Sequence, residues 1–229
     1  MTIVFKPVIL PANIVGVRPG RLGLCHLRPV MFPGVGNRDL QFSAADAWEA
    51  MAIACHVDTG HQLTTVGAYR SEQGCIDILY SHYDRIYLPG RNVLTNTRIG
   101  PDGKKWYRKR KASPVAGFTD GIPDSKHAIG LANDTAIWVN LFDTALNKWR
   151  WQIVGITDAR CKYLDKATGK FRTVWDWIVD EAESFGFSWE GAKPGKPGWE
   201  PWHLRYVAGD KIPARVLDMQ AFFKAQVAK

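Results

Sequence analysis

The stretch SKHAIGLANDTAIWV, Ser125–Val139, places a histidine and an aspartate seven residues apart and then runs into apolar, β-branched residues. Its second half, LANDTAIWV, reads as a strand entering the core. Side chains alternate along a strand, so His127 and Asp134 would point to opposite faces of a straight one. They can share a site only if the chain bends between them. Gly130 is placed for that bend, because glycine accepts backbone angles that other residues avoid. Ala132 is small and leaves room beside a bound ion. The spacing predicts one ligand before a turn and a second on the strand that follows.

Around this stretch, helices and strands mix without regular β-α-β alternation. SAADAWEAMAIACHVDTG predicts a helix capped by Ser43 and stopped by Gly60. QLTTVGAYR predicts a strand ending at Arg70, and Ser71 caps a second helix with Ile76, Leu79, Tyr80 and Tyr83 on one face. The Pro101-Asp102-Gly103 turn predicts a ribbon, roughly 91–98 and 104–110. TVWDWIVDEAESFGF predicts a helix capped by Thr173 and ended by Gly186, with Trp175, Ile178, Val179 and Ala182 as its apolar stripe. AKPGKPG reads as a connector, and ARVLDMQAFFKAQVAK as a C-terminal helix. The expected fold class is α+β, an antiparallel sheet flanked by helices. The expected organisation is one domain over 1–229, with an N-terminal extension at 1–26 and an insertion at 86–124.

With 46% hydrophobic and 23% charged residues the composition is that of a globular chain, and no apolar run reaches the ~18 residues of a membrane span. Cys25, Cys55, Cys75 and Cys161 form no C-x-x-C pair, which argues against a cysteine metal site and predicts free, mostly buried thiols. A net charge of +8 favours polyanionic partners: nucleic acid, anionic membrane or anionic wall polymer. The opening MTIVFKPVILPANIV lacks the pattern of a signal peptide.

A catalytic zinc site typically has three protein ligands and an open position. Of the remaining histidines, His26, His56, His61 and His82 read as structural. His203 alone has suitable company, in GWEPWHLRY, where Glu200 lies three residues earlier and both side chains fit one face of a helical turn. An imidazole ligand beside a carboxylate base is what activation of a water molecule requires.

These residues carry a resemblance. S-x-H-x-x-G-x-A-x-D, matched by Ser125, His127, Gly130, Ala132 and Asp134, with the later E-x-W-H of Glu200, Trp202 and His203, resembles the VanY-type zinc D-alanyl-D-alanine carboxypeptidases. The wider group, the LAS-type peptidoglycan peptidases, includes phage L-alanyl-D-glutamate endopeptidases. Tyr69-Arg70-Ser71 matches a third element, and WDWIVDEAESFGFSWE is similar to the helix that precedes E-x-W-H. The likeness runs from about Leu27 to Leu217, and LPGR…WY resembles an insertion of actinobacterial and actinophage members.

The resemblance implies the LAS-type fold and one zinc ion per chain, held by His127, Asp134 and His203. It implies Glu200 as catalytic base, Arg70 as the cation that steadies the oxyanion, and Ser125 near the substrate. Two imidazoles and a carboxylate make zinc the first choice of ion. Trp202, between base and ligand, is expected to line the pocket, and Trp199 to shape a groove. Where family members often carry glutamine five residues after the arginine, this chain has Cys75, with Gln73 two residues earlier. That contact is expected to be shifted or lost.

The implied activity is hydrolysis of peptidoglycan stem peptides, by a D-Ala-D-Ala carboxypeptidase or an endopeptidase cutting at L-Ala–D-Glu or a cross-link. The missing leader suggests a phage lytic enzyme, held in the host cytoplasm before release to the wall or carried on the virion. Two other readings are kept. One is a catalytically silent, zinc-bearing wall-binding module, which would be expected to lose Glu200 or Arg70. The other is a nucleic-acid binder using KKWYRKRK, Lys104–Lys111. That run reads first as a solvated ribbon edge, second as a grip on anionic wall polymers, and last as a nucleic-acid site.

Overall fold

The computed structural model describes residues 3, 5–31, 36–143, 145–189 and 199–227; the connector expected at 192–198 lies outside them. In chain order the strands before the central motif are β1 (Leu27–Pro29), β2 (Asp39–Gln41), β3 (Gln62–Gly67), β4 (Tyr83–Asp84), β5 (Asn92–Ile99), β6 (Lys105–Lys109), β7 (Phe118–Thr119) and β8 (Ile122–Pro123). Those after it are β9 (Ala132–Asp143), β10 (Lys148–Gly155), β11 (Lys162–Asp165), β12 (Lys170–Thr173), β13 (Phe187–Ser188) and β14 (His203–Tyr206). The helices are α1 (Phe42–Thr59), α2 (Glu72–His82), α3 (Val174–Glu181) and α4 (Ala214–Val227).

The main sheet is antiparallel, in the order β10-β9-β14-β13, with β3 paired along the other edge of β9. This is the α+β arrangement expected from the sequence. One face of β9 carries Asn133, Thr135, Ile137 and Val139 into the interior, where Trp48 of α1 reaches the Thr135 hydroxyl at 3.3 Å. α1 is buried nearly all round, from Ala44 through Trp48 and Met51 to Cys55, because α3, α4 and the sheet all pack on it.

The element ends show where local chemistry overrode the first reading. α1 starts one residue before the expected Ser43 cap, because the Gln41 side chain accepts from Ser43 N (2.8 Å) and Ala44 N (3.2 Å). Gly60 ends it in the left-handed region, φ 74°. Ser71 caps α2 by accepting from Gly74 N. Thr173 and Asp176 form a reciprocal capping box on α3, which passes through a 3₁₀ turn to Gly186 at φ 83°. The buried side of α3 is Val174, Trp177 and Ile178, with Trp175 and Val179 only partly covered. That rotates the stripe slightly from the expected one.

The 86–124 segment packs against α2 and the His127 turn through a second small core. Trp106, fully buried, joins Cys75, Leu79, Tyr83, Phe118 and Ala128. The Trp106 ring lies over Gly100, where a Cβ would come within 2.2 Å of its Nε1, and Nε1 donates to Asp102 at 3.0 Å. Two of the six basic residues in the run Lys104–Lys111 are spent on architecture. The Lys109 ammonium donates to the Tyr80 and Ser81 carbonyls at the end of α2, and Arg108 donates to Ala112 O. Lys104, Lys105, Arg110 and Lys111 remain exposed. All four cysteines are free; Cys25 is exposed and the other three are buried.

Candidate active site

His127 sits in a 3₁₀ turn, Lys126–Ile129, with Ser125 as its N-cap residue. Gly130 ends the turn at φ 69°, and a Cβ there would lie 2.7 Å from Leu27 Cδ2 and 3.0 Å from Gln41 N. Both the backbone angle and the close approach of β2 exclude a side chain. The chain then enters β9, with Asp134 on the face opposite the core. This is the bend that a seven-residue spacing requires. His203 opens β14 directly across from Asp134. Glu200 and Trp202 precede it in a turn closed by His203 N donating to Glu200 O at 3.0 Å. The expected helical turn is therefore a turn leading into a strand.

β3 supplies a partner that the sequence reading did not single out. A bulge between Thr65 and Gly67 puts Gly67 opposite Asp134. A Cβ at Gly67 would fall 2.8 Å from Asp134 Oδ2, so glycine leaves the carboxylate its room. One residue on, the Ala68 carbonyl accepts from His127 Nδ1 at 2.6 Å. A carbonyl can only accept, so Nδ1 carries the proton and Nε2 presents a lone pair. Arg70 N donates to His127 O at 3.1 Å, tying the arginine to the same turn. The N-terminal segment braces both pieces: Gly20 N donates to Ala128 O, Glu72 N to Gly20 O, and Leu22 N to the Tyr69 hydroxyl.

The three ligand atoms converge. His127 Nε2 is 3.2 Å from His203 Nδ1 and 3.4 Å from Asp134 Oδ1, and His203 Nδ1 is 3.1 Å from Asp134 Oδ1. A tetrahedral zinc ion with bonds of about 2.0–2.1 Å separates its ligand atoms by about 3.3–3.4 Å. Three donors converging at this spacing leave the separation that a divalent ion would bridge, so the residues fit such an ion. Among the described residues this is the one such cluster of histidine, cysteine and acidic side chains. Their protonation agrees. Burial pushes the His127 imidazole below its usual pKa, against the Asp134 carboxylate. Burial works to raise the Asp134 carboxyl, but the facing His127 and His203 rings outweigh it and hold it well below the carboxylate range. A neutral imidazole and an ionised carboxylate are the metal-binding forms.

All seven residues singled out in the sequence line one cleft of about 900 Å³: Arg70, Ser125, His127, Asp134, Glu200, Trp202 and His203. Trp199 lines it too, and stacks edge-on against Trp175 and Phe5. The opposite wall comes from the insertion, through Asn96, Arg98 and residues 113–117. Arg98 is a second guanidinium in the cleft that sequence reasoning passed over. It packs over Gly117 and donates to Val115 O and Thr97 O. Its only signal is a basic residue on a predicted ribbon, which does not reveal which way the ribbon folds. His82, read from the sequence as structural, reaches the same wall, where its Nδ1 bonds the Ser113 carbonyl. Neither Gln73, whose amide donates to Asp77 on α2, nor Cys75 lines the cleft.

The family model described as VanY, D-alanyl-D-alanine carboxypeptidase, matches residues 37–209. "Putative carboxypeptidase YodJ" of Bacillus subtilis (strain 168) is 27% identical over 231 residues, covering 98% of this chain and 67% of that protein. Among solved structures, the LdcB LD-carboxypeptidase aligns with a TM-score of 0.46 and 24% identity, over 89% of this chain and 77% of that one. Because the match to the family model takes in well over half of the 229 residues, the chain belongs to the VanY D-alanyl-D-alanine carboxypeptidase family.

Proposed function

We propose that this chain is a zinc-dependent peptidase that trims peptidoglycan stem peptides, and that it acts as a carboxypeptidase. The observation that carries the reading is the convergence of His127 Nε2, Asp134 Oδ1 and His203 Nδ1 in a cleft that also holds Glu200 and Arg70. His127, Asp134 and His203 would hold the ion. Bound there, zinc supplies Lewis acidity toward the scissile carbonyl and lowers the pKa of water toward ~7.

The chain's own groups do the rest. Glu200, exposed at the cleft, takes the proton of the attacking water and returns it to the leaving amine, a role worth about 10²–10⁴ in rate. The Arg70 guanidinium stabilises the negative charge that develops on the carbonyl oxygen, for which loss of a donor costs roughly 3 kcal/mol. Ser125 and Trp202 flank the substrate. Ala68 O holds the His127 ring in the tautomer that turns Nε2 inward. The presence of both Glu200 and Arg70 in the cleft argues against the silent wall-binding module. Lys109 and Arg108 are tied to backbone carbonyls, which removes two of the ribbon's six cations from any nucleic-acid role.

The choice of a carboxypeptidase rests on the family and on the far wall. Arg98 and Lys126 add to Arg70 to make three cations around the cleft, suited to a terminal carboxylate. The test is digestion of purified peptidoglycan and its soluble stem peptides, with and without a chelator, read by mass spectrometry. Chelator-sensitive loss of a terminal D-Ala is expected. New L-Ala–D-Glu ends would instead make the enzyme an endopeptidase, and no cleavage of any stem peptide by zinc-loaded protein would overturn the reading.

A further inference from the structure

The β9–β10 hairpin carries its apolar load on the wrong side for a simple core element. Register pairs Trp149 with Phe142, Trp151 with Asn140 and Ile153 with Trp138. Because side chains alternate, these six residues share one face. The other face takes Ile137 and Val139 into the core, so this one looks outward. Trp149 is 66% exposed, Trp151 65% and Phe142 42%, although burying such rings is ordinarily favourable by a few kcal/mol each. The rings are ordered against one another. Trp138 meets Trp151 edge-to-face with centroids 6.3 Å apart, and Phe142 meets Trp149 at 5.8 Å.

The same face of β9 carries Asp134. From Asp134 to Trp138 is four residues, about 13 Å along the strand, and Phe142 lies about 13 Å further on. The aromatic row is thus the outward continuation of the strand face that forms the cleft. We propose that it is a second binding site, a platform for the glycan strand of peptidoglycan. The inference rests on the reading that the cleft takes stem peptides, which are covalently attached to that strand. A peptide lying in the cleft leaves its sugar chain within reach of the same strand face.

The chemistry suits amino-sugar rings. Their C–H faces stack on indole and phenyl planes, and Asn140, exposed between the two ring pairs, offers an amide to hydroxyl and acetamido groups. Edge-to-edge pairing with a second copy is disfavoured, because β10 is the outer strand and carries Lys148 and Arg150; stacking of a second copy on the aromatic face is an outcome the test below separates.

The test uses the whole chain and the double variant Trp149→Ala/Trp151→Ala, both of whose side chains lie in solvent. Binding is measured by co-sedimentation with glycan strands stripped of their peptides. Turnover is measured separately on a soluble stem peptide and on intact walls. The wild type should bind stripped strands, and the variant should bind about tenfold more weakly, a loss typical of an aromatic anchor. Trp149→Tyr should keep most of the binding. On soluble peptide the variant should match the wild type, while on intact walls it should be slower. Equal binding by variant and wild type, or no binding by a wild type that cuts soluble peptide, would overturn the platform and leave the cleft reading intact. A wild-type dimer that the variant converts to a monomer would assign the face to self-association. Failure to cut soluble peptide would instead strike the cleft reading, with glycan binding still scored by co-sedimentation.

Discussion

At the scale of single residues, ligand and base separate experimentally. Glu200 is not one of the converging donors, so Glu200→Ala is expected to retain zinc and lose about 10²–10⁴ in turnover. His203→Ala should lose both metal and turnover. Equal activity of Glu200→Ala and wild type in a stem-peptide assay would remove the base from the mechanism. Gly67 makes a sharper test, because it is not part of the cleft lining. Its missing Cβ leaves space for Asp134 Oδ2, so Gly67→Ala should push the carboxylate aside and weaken zinc affinity about 10–100-fold, with little change in melting temperature. Calorimetric zinc titration would read that shift. His127, Asp134 and His203 were legible as candidate ligands because their residue types and spacing are chemical constraints in themselves. Gly67 was not, because its role comes from a bulge that sets it across from a residue far away in sequence. Arg98 stayed hidden for a similar reason: the insertion folds back onto the cleft through the buried Trp106.

At the scale of elements, the site depends on how the 3₁₀ turn is held between β2, β3 and the N-terminal segment. Gly130→Ala would force a side chain into a left-handed angle at a cost of about 1–2 kcal/mol and drive its Cβ into Leu27 and the β2 backbone. The expected result is a melting temperature lower by several degrees together with weaker zinc binding, since His127 rides on the same turn. A variant as stable as wild type would show that the close approach to β2 is not held in solution. The helices, the ribbon and β9 could be read from period and capping residues. The β9–β10 hairpin was left unassigned, although its alternation of Trp149, Trp151 and Ile153 with Lys148, Arg150 and Gln152 is regular. Its apolar side faces solvent, and pattern reading places apolar sides in cores. The start of α1 slipped because a glutamine side chain two residues upstream did the work assigned to a serine.

At the scale of the whole molecule, the charge of +8 is distributed among scaffold contacts, the cleft and the open surface. No helix among the described residues is long and apolar enough to cross a membrane. The thiols report on how the chain is packed. Burial raises the Cys55 thiol to about 12 and those of Cys75 and Cys161 to about 11, leaving little thiolate at neutral pH. A thiol reagent at pH 8 should therefore modify Cys25 alone in the native protein and all four cysteines after denaturation. Rapid labelling of Cys75 in the native state would mean that the 86–124 segment opens away from α2.

The most direct test of the central claim is a zinc titration of metal-stripped protein, followed by release of D-Ala from a soluble stem peptide. Activity should be absent at the start, rise with added zinc and saturate at one ion per chain. Undiminished cleavage by the stripped protein, or a zinc-saturated protein that releases nothing, would contradict the claim that His127, Asp134 and His203 form the centre of a peptidase.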